Sequence, residues 1–185
     1  MDVRAQTRTL SAALRPRAPL ALALLLAAAL ALPAAAQFYD PLTRSEADQV
    51  RHTSGELNKR PPLLLHFARE RLARFQRLRT ASPPPPARNA QLYSLLRQYH
   101  AILSEADDAV DQLFDARAQF KNTPKVLRQV VAEERAMQAE LHAIRSASTP
   151  ADLARYHFEL DDCLDLTRDC LQNAGGYLAK LGGKP

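Results

Sequence analysis

Apolar residues recur every three or four positions along most of this chain, and strand-like alternation is missing throughout. That spacing puts one apolar stripe on each of several α-helices. Thr43-x-x-Glu46 has the form of a capping box and predicts a short helix from Arg44 to about Thr53, ended by Gly55. Pro61-Pro62 open the next helix, where a missing N–H is harmless, and Leu64, Ala68, Leu72, Phe75 and Leu78 carry its stripe to about Arg79. Thr80 to Asn89 contains Pro83-Pro84-Pro85-Pro86, which cannot be helical and reads as a stiff connector roughly 12 Å long. A ligand for a proline-binding module is the alternative use of that segment.

Beyond the connector, Leu92, Leu95, Tyr99, Ile102, Ala106, Ala109, Leu113, Ala116 and Phe120 predict a helix over 90–121. At 1.5 Å per residue it would be about 48 Å long, long enough to support an extended coiled coil as the alternative architecture. Asn122-Thr123-Pro124 then closes one helix and starts another, with Thr123 as N-cap, on Leu127, Val130, Met137, Leu141 and Ile144 to about Ser146. Ser148-Thr149-Pro150 repeats the device, with Asp152 in the first turn where the helix dipole favours a negative charge. The last stripe runs through Leu153, Tyr156, Leu160, Cys163, Thr167, Cys170 and Ala174, and Gly175-Gly176 should end it, leaving a tail over 175–185. The economical arrangement is all-α: an antiparallel up-down bundle of four long helices with the short first helix across one end.

A different pattern occupies the start of the chain. Arg4, Arg8, Arg15 and Arg17 precede an apolar run from Leu20 to Leu32, followed by Pro33-Ala34-Ala35-Ala36. This run is too short for the roughly 20 residues that span a bilayer, so residues 1–36 read as a cleaved signal peptide and 37–185 as a single helical domain. The first cysteine is Cys163, so no lipid-bearing cysteine follows the cleavage site. The expected location is outside the cytoplasm, in the periplasm, with no transmembrane segment after cleavage.

Charge changes the picture little. Of 25 Lys+Arg and 20 Asp+Glu, the leader holds four Arg and one Asp, which leaves 21 against 19. Nucleic acid, which needs a concentrated basic face, is not expected as a partner. One stretch is basic: Lys59, Arg60, Arg69, Arg71, Arg74, Arg77 and Arg79 stand against Glu70 over 59–79. The following helix is acidic around Glu105, Asp107, Asp108, Asp111 and Asp115. Opposite charges of this kind set helix pairing, and the basic helix could also touch an anionic membrane surface.

A few residues are out of place for a plain bundle. Arg71 lies near the centre of its apolar stripe, and Glu134 lies between Leu127 and Leu141 on its own. The two are expected to pair in the interior, with Asp107 or Asp161 at the stripe edges as further partners. His157 and Asp161, four apart, have the spacing of two metal ligands on one helix face, and Met137 is a conceivable haem ligand or a gap-filler of the core. No Glu-x-x-His occurs, and no Cys-x-x-Cys-His, so neither a di-iron centre nor a c-type haem is expected and no cofactor is assigned. Cys163 and Cys170, two helical turns apart, cannot bond to each other within one helix. They read as core residues or as the seam of a disulfide-linked dimer. No catalytic triad, phosphate loop or nucleophile signature is visible, so no catalytic residue is assigned. The layout resembles exported helical proteins in general, but the Leu-Thr-x-x-Gln repeats of periplasmic stress chaperones are absent, Leu42-Thr43-Arg44-Ser45-Glu46 being the nearest approach. The expectation is a non-enzymatic interaction or structural protein of the bacterial cell envelope, binding a protein or itself. A ligand-binding bundle for haem, metal or a small anion is the alternative.

Overall fold

The computed structural model describes residues 40–182, and the leader expected over 1–36 lies outside them. Five helices follow one another: α1 (Arg44–His52), α2 (Arg60–Thr80), α3 (Arg88–Asp115), α4 (Thr123–Ala147) and α5 (Pro150–Lys180). Among the described residues there is no strand. The predicted caps start two of the helices. Thr43 Oγ1 accepts from the Glu46 N–H while the Glu46 carboxylate accepts from the Thr43 N–H, and Thr149 accepts from the Asp152 N–H. At α4 the N-cap is Asn122 rather than Thr123, whose hydroxyl instead donates to the Phe120 carbonyl at 2.7 Å.

Two boundaries depart from the periodicity. The third helix ends at Asp115, six residues short of the expected Lys121. A chain of turns over 116–119 follows, and it brings Phe120 back against the core. Conversely, α5 continues through Gly175-Gly176 to Lys180. Leu178 is wholly buried there and the Tyr177 ring stacks on Phe114 with centroids 4.0 Å apart. Burying Leu178 contributes on the order of 2 kcal/mol, and the ring stacking adds to it, enough to offset the roughly 1 kcal/mol that each of the two helical glycines costs against alanine.

Side-chain pairs fix the directions of the long helices. Arg60 meets Glu105 and Arg71 meets Gln98, both at 2.8 Å, so α2 and α3 run antiparallel. Arg145 meets Asp161 at 3.1 Å and Ser148 meets Tyr156 at 2.8 Å, so α4 and α5 do too. Contacts between α2 and α4 advance together, from Asn58–Asn122 through Arg69–Glu133 to Arg79–Ala147, and these helices are parallel. So are α3 and α5, which meet from Asn89–Arg155 through Tyr99–Thr167 to Phe114–Tyr177. The consecutive helices α3 and α4 scarcely touch. Each hairpin, α2–α3 and α4–α5, therefore lies on the other with like-directed helices side by side.

The core sits between these four helices. Leu64, Ala68, Leu72 and Phe75 of α2 face Leu96, Tyr99, Ile102 and Leu103 of α3 in it, with Leu127, Met137, Leu141, Leu160 and Cys163 from the second hairpin. The leading four members of the stripe predicted for α2 are wholly buried, and Leu78 is only partly so.

Candidate functional site

Two polar sites interrupt this apolar interior, and each contains one of the charged residues predicted to point inward. The first surrounds Arg71. Its Nη1 and Nη2 donate to Glu46 Oε1 and Oε2 at 2.8 and 2.6 Å, its Nε donates to Gln98 Oε1 at 2.8 Å, and Nη2 also reaches the Pro41 carbonyl at 3.0 Å. Arg71 is thus the point at which the segment 40–46, α1, α2 and α3 are tied together. The pairing is bidentate, the geometry in which a guanidinium binds a carboxylate most strongly. Glu46 is held at a pKa of about 2, chiefly by the Arg71 contact and against the opposing effect of burial. The carboxylate that caps α1 is therefore also the counter-ion of a buried arginine.

Around this clamp lies a trough of about 630 Å³ lined by Asp40, Pro41, Thr43, Glu70, Arg74 and Arg77, with Glu46, Arg71 and Gln98 also on its walls. A smaller hollow of about 250 Å³ shares Arg74 and Gln98 with it and adds Gln91 and Ser94. The α3 wall is internally bonded, Gln98 Nε2 donating to Ser94 Oγ at 3.3 Å.

The second polar site is in the core. Glu134 is wholly buried and neither of its carboxylate oxygens has a hydrogen-bond partner. Burial is the main cause that raises its pKa to about 8, and the charge of Asp107 adds to it. The expected pairing with Arg71 is therefore corrected: Arg71 is satisfied by Glu46, and Glu134 is an unpaired core carboxyl. Asp107 does not join Arg71 either. It accepts from Asn173 Nδ2 at 2.9 Å, as does Asp111, and burial raises its pKa. Asp161 is spent on Arg145 near the surface. Neutral polar groups of the same region find partners close by: Tyr99 Oη and Thr167 Oγ1 are 2.6 Å apart, and Thr167 donates to the Cys163 carbonyl at 2.6 Å.

The remaining candidates are dispersed. Met137 is buried among apolar side chains of the core. His157 is half-buried, with Nδ1 3.0 Å from the Leu153 carbonyl and its ring 3.8 Å from that of the exposed Phe158. Among the described residues no three His, Cys, Asp or Glu side chains are grouped so as to hold a metal ion. Cys163 and Cys170 are free and wholly buried, Cys163 Sγ lying 3.4 Å from the Leu96 carbonyl. Burial pushes both thiols far above their usual range. A disulfide to a second molecule would require either thiol to leave this buried setting. Sequence reasoning missed Glu46 and Gln98 as site residues. The capping-box spacing did flag Glu46, but only for its local role.

Charge is partitioned between the parallel pairs. The α2 and α4 segments together carry ten Lys and Arg against four Asp and Glu, whereas α3 and α5 carry five against eleven. Because like-directed helices are neighbours, one side of the bundle is basic and the opposite side acidic. Among the described residues no helix is long and apolar enough to cross a membrane. Compared with protein-family models, curated proteins and solved structures, the chain matches none.

Proposed function

We propose that this chain is an exported, non-enzymatic interaction protein of the bacterial cell envelope, an up-down four-helix bundle that works through its outer helix faces in the periplasm. The observation that carries the reading is the partition of charge: ten cationic against four anionic side chains on α2 and α4, and the reverse excess on α3 and α5. Two faces of opposite sign suit association with a second copy or with a partner bearing a charged face, and complementary potentials of this kind steer encounter and fix orientation. The reactive side chains favour the same reading. Both thiols lie in the core with raised pKa values, where a thiolate nucleophile would need an exposed, electropositive setting. The leader of four arginines, the Leu20–Leu32 run and Ala34-Ala35-Ala36 support export.

Purification from the periplasmic fraction, followed by N-terminal sequencing and light scattering at low and high salt, tests this reading. The expected product begins near Gln37, is colourless and metal-free, and has a mass that falls toward the monomer as salt is added. An uncleaved N-terminus, or a salt-insensitive monomer carrying haem or stoichiometric metal, overturns it.

A further inference from the structure

Four of the six arginines of α2 are engaged: Arg60 by Glu105, Arg69 by Glu133, Arg71 by Glu46, and Arg79 by the Ala147 carbonyl. Arg74 and Arg77 are different. Both are exposed, neither has a partner among the described residues, and both line the trough beside the Arg71 clamp. Three residues apart on one helix, they present adjacent guanidinium forks to the same space. The lining also carries three carboxylates and the cation of the clamp. Arg71 is neutralised by Glu46, Asp40 Oδ1 accepts from the Leu42 N–H at 3.0 Å, and Glu70 lies 3.6 Å from His66 Nε2. What the trough offers a ligand is two cations without a partner among the described residues, with Gln98 as its α3 wall; Ser94 and Gln91 line the adjoining hollow, which shares Arg74 and Gln98.

We propose that this trough binds a phosphate group, gripped by Arg74 and Arg77 beside Gln98 of α3. A planar guanidinium matches the edge of a tetrahedral oxyanion with two parallel N–H donors, and two adjacent forks can grip two edges of one phosphate. The volume of about 630 Å³ falls in the range of small-ligand sites. The clamp has a clear part in this: by holding Pro41 and Glu46 against α2, Arg71 builds the wall that makes the surface concave. The site goes beyond the proposed function, since it depends neither on export nor on association of the two charged faces.

The phosphate could be a free anion or the headgroup of an anionic lipid. Titration of the full chain with inorganic phosphate and glycerol phosphate by calorimetry, beside co-sedimentation with phosphatidylglycerol and phosphatidylcholine vesicles, separates the two. The decisive variant is Arg74→Ala/Arg77→Ala, and the control is Arg128→Ala/Arg135→Ala, which removes equal charge from exposed positions on α4. Neither pair is buried, so both variants should keep the parent's melting temperature. The site is supported when the trough variant weakens binding about tenfold or more and the control changes it less than about twofold. Binding of soluble phosphates marks a free anion, and binding to phosphatidylglycerol vesicles alone marks a headgroup. Absence of binding to every probe, or equal losses in the two variants, overturns the proposal.

Discussion

Arg71 holds Glu46 by both carboxylate oxygens, at 2.8 and 2.6 Å, and through that one residue it fastens the first helix to the second. Few other contacts do so, because among the described helices α1 packs on α2 alone and only lightly. The clamp thus decides whether the N-terminal segment stays in place and whether the trough beside it exists.

Removing one partner of this pair leaves a buried charge without its counter-ion. Arg71→Ala or Glu46→Ala should lower stability by about 3–5 kcal/mol, whereas Glu46→Leu combined with Arg71→Met should cost much less. Chemical denaturation of the single and double variants provides the comparison, and losses that simply add would show that the two residues do not act as a pair. Acid titrates the same contact. The folded pKa of Glu46 lies near 2 and the ordinary value is 4.5, so its contribution is complete above about pH 4.5 and fades as pH falls toward 2. Glu46→Gln should flatten that part of the stability profile.

Glu134 has the opposite sign. Its folded pKa is raised to about 8, so the stability tied to its proton is complete below about pH 4.5 and lost as pH rises through 8. Thermal melts between pH 5 and 9 should therefore show a decline that Glu134→Gln abolishes. Glu134→Leu, which fills the same space without an unpaired polar group, should stabilise by about 1–3 kcal/mol at neutral pH. A destabilising Glu134→Leu would mean that the carboxyl has partners in solution that the packing does not reveal.

Thiol chemistry distinguishes core cysteines from an intermolecular seam. Cys163 and Cys170 are wholly buried, and burial raises both pKa values, so a thiol reagent should label neither in the native protein and both after denaturation. The native mass should be the same with and without reductant. Rapid native labelling would require the core around α5 to open.

Gly175 and Gly176 are helical positions where an added Cβ would meet nothing within 4 Å. Gly175→Ala and Gly176→Ala should each stabilise by about 0.5–1 kcal/mol, since alanine loses less chain entropy in a helix. Loss of stability on either change, measured by thermal melting, would indicate that α5 bends there in solution.

Periodicity and cap chemistry are local, and what depends on them was legible in the chain. The start of α1 follows from Thr43 and Glu46, that of α5 from Thr149 and Pro150, and the inward side of each long helix from apolar spacing, including the unusual inward placement of Arg71 and Glu134. The end of α3 was not legible, because Ala116 and Phe120 keep the helical period while the chain turns to bring Phe120 onto the core. Nor was the passage of α5 through two glycines, which distant Phe114 stabilises by stacking on Tyr177. The partners of the buried charges belong to the same class. A stripe says which way a side chain points but not what lies opposite it. Glu46, 25 residues away, reaches Arg71 with two oxygens, and Glu134 is left alone because the only cation predicted for it was already satisfied. Sequence by itself determined the helices, the caps of α1 and α5 and the facing; the tertiary structure decided which faces meet, and hence which charges are spent and which, like those of Arg74 and Arg77, remain without a partner among the described residues.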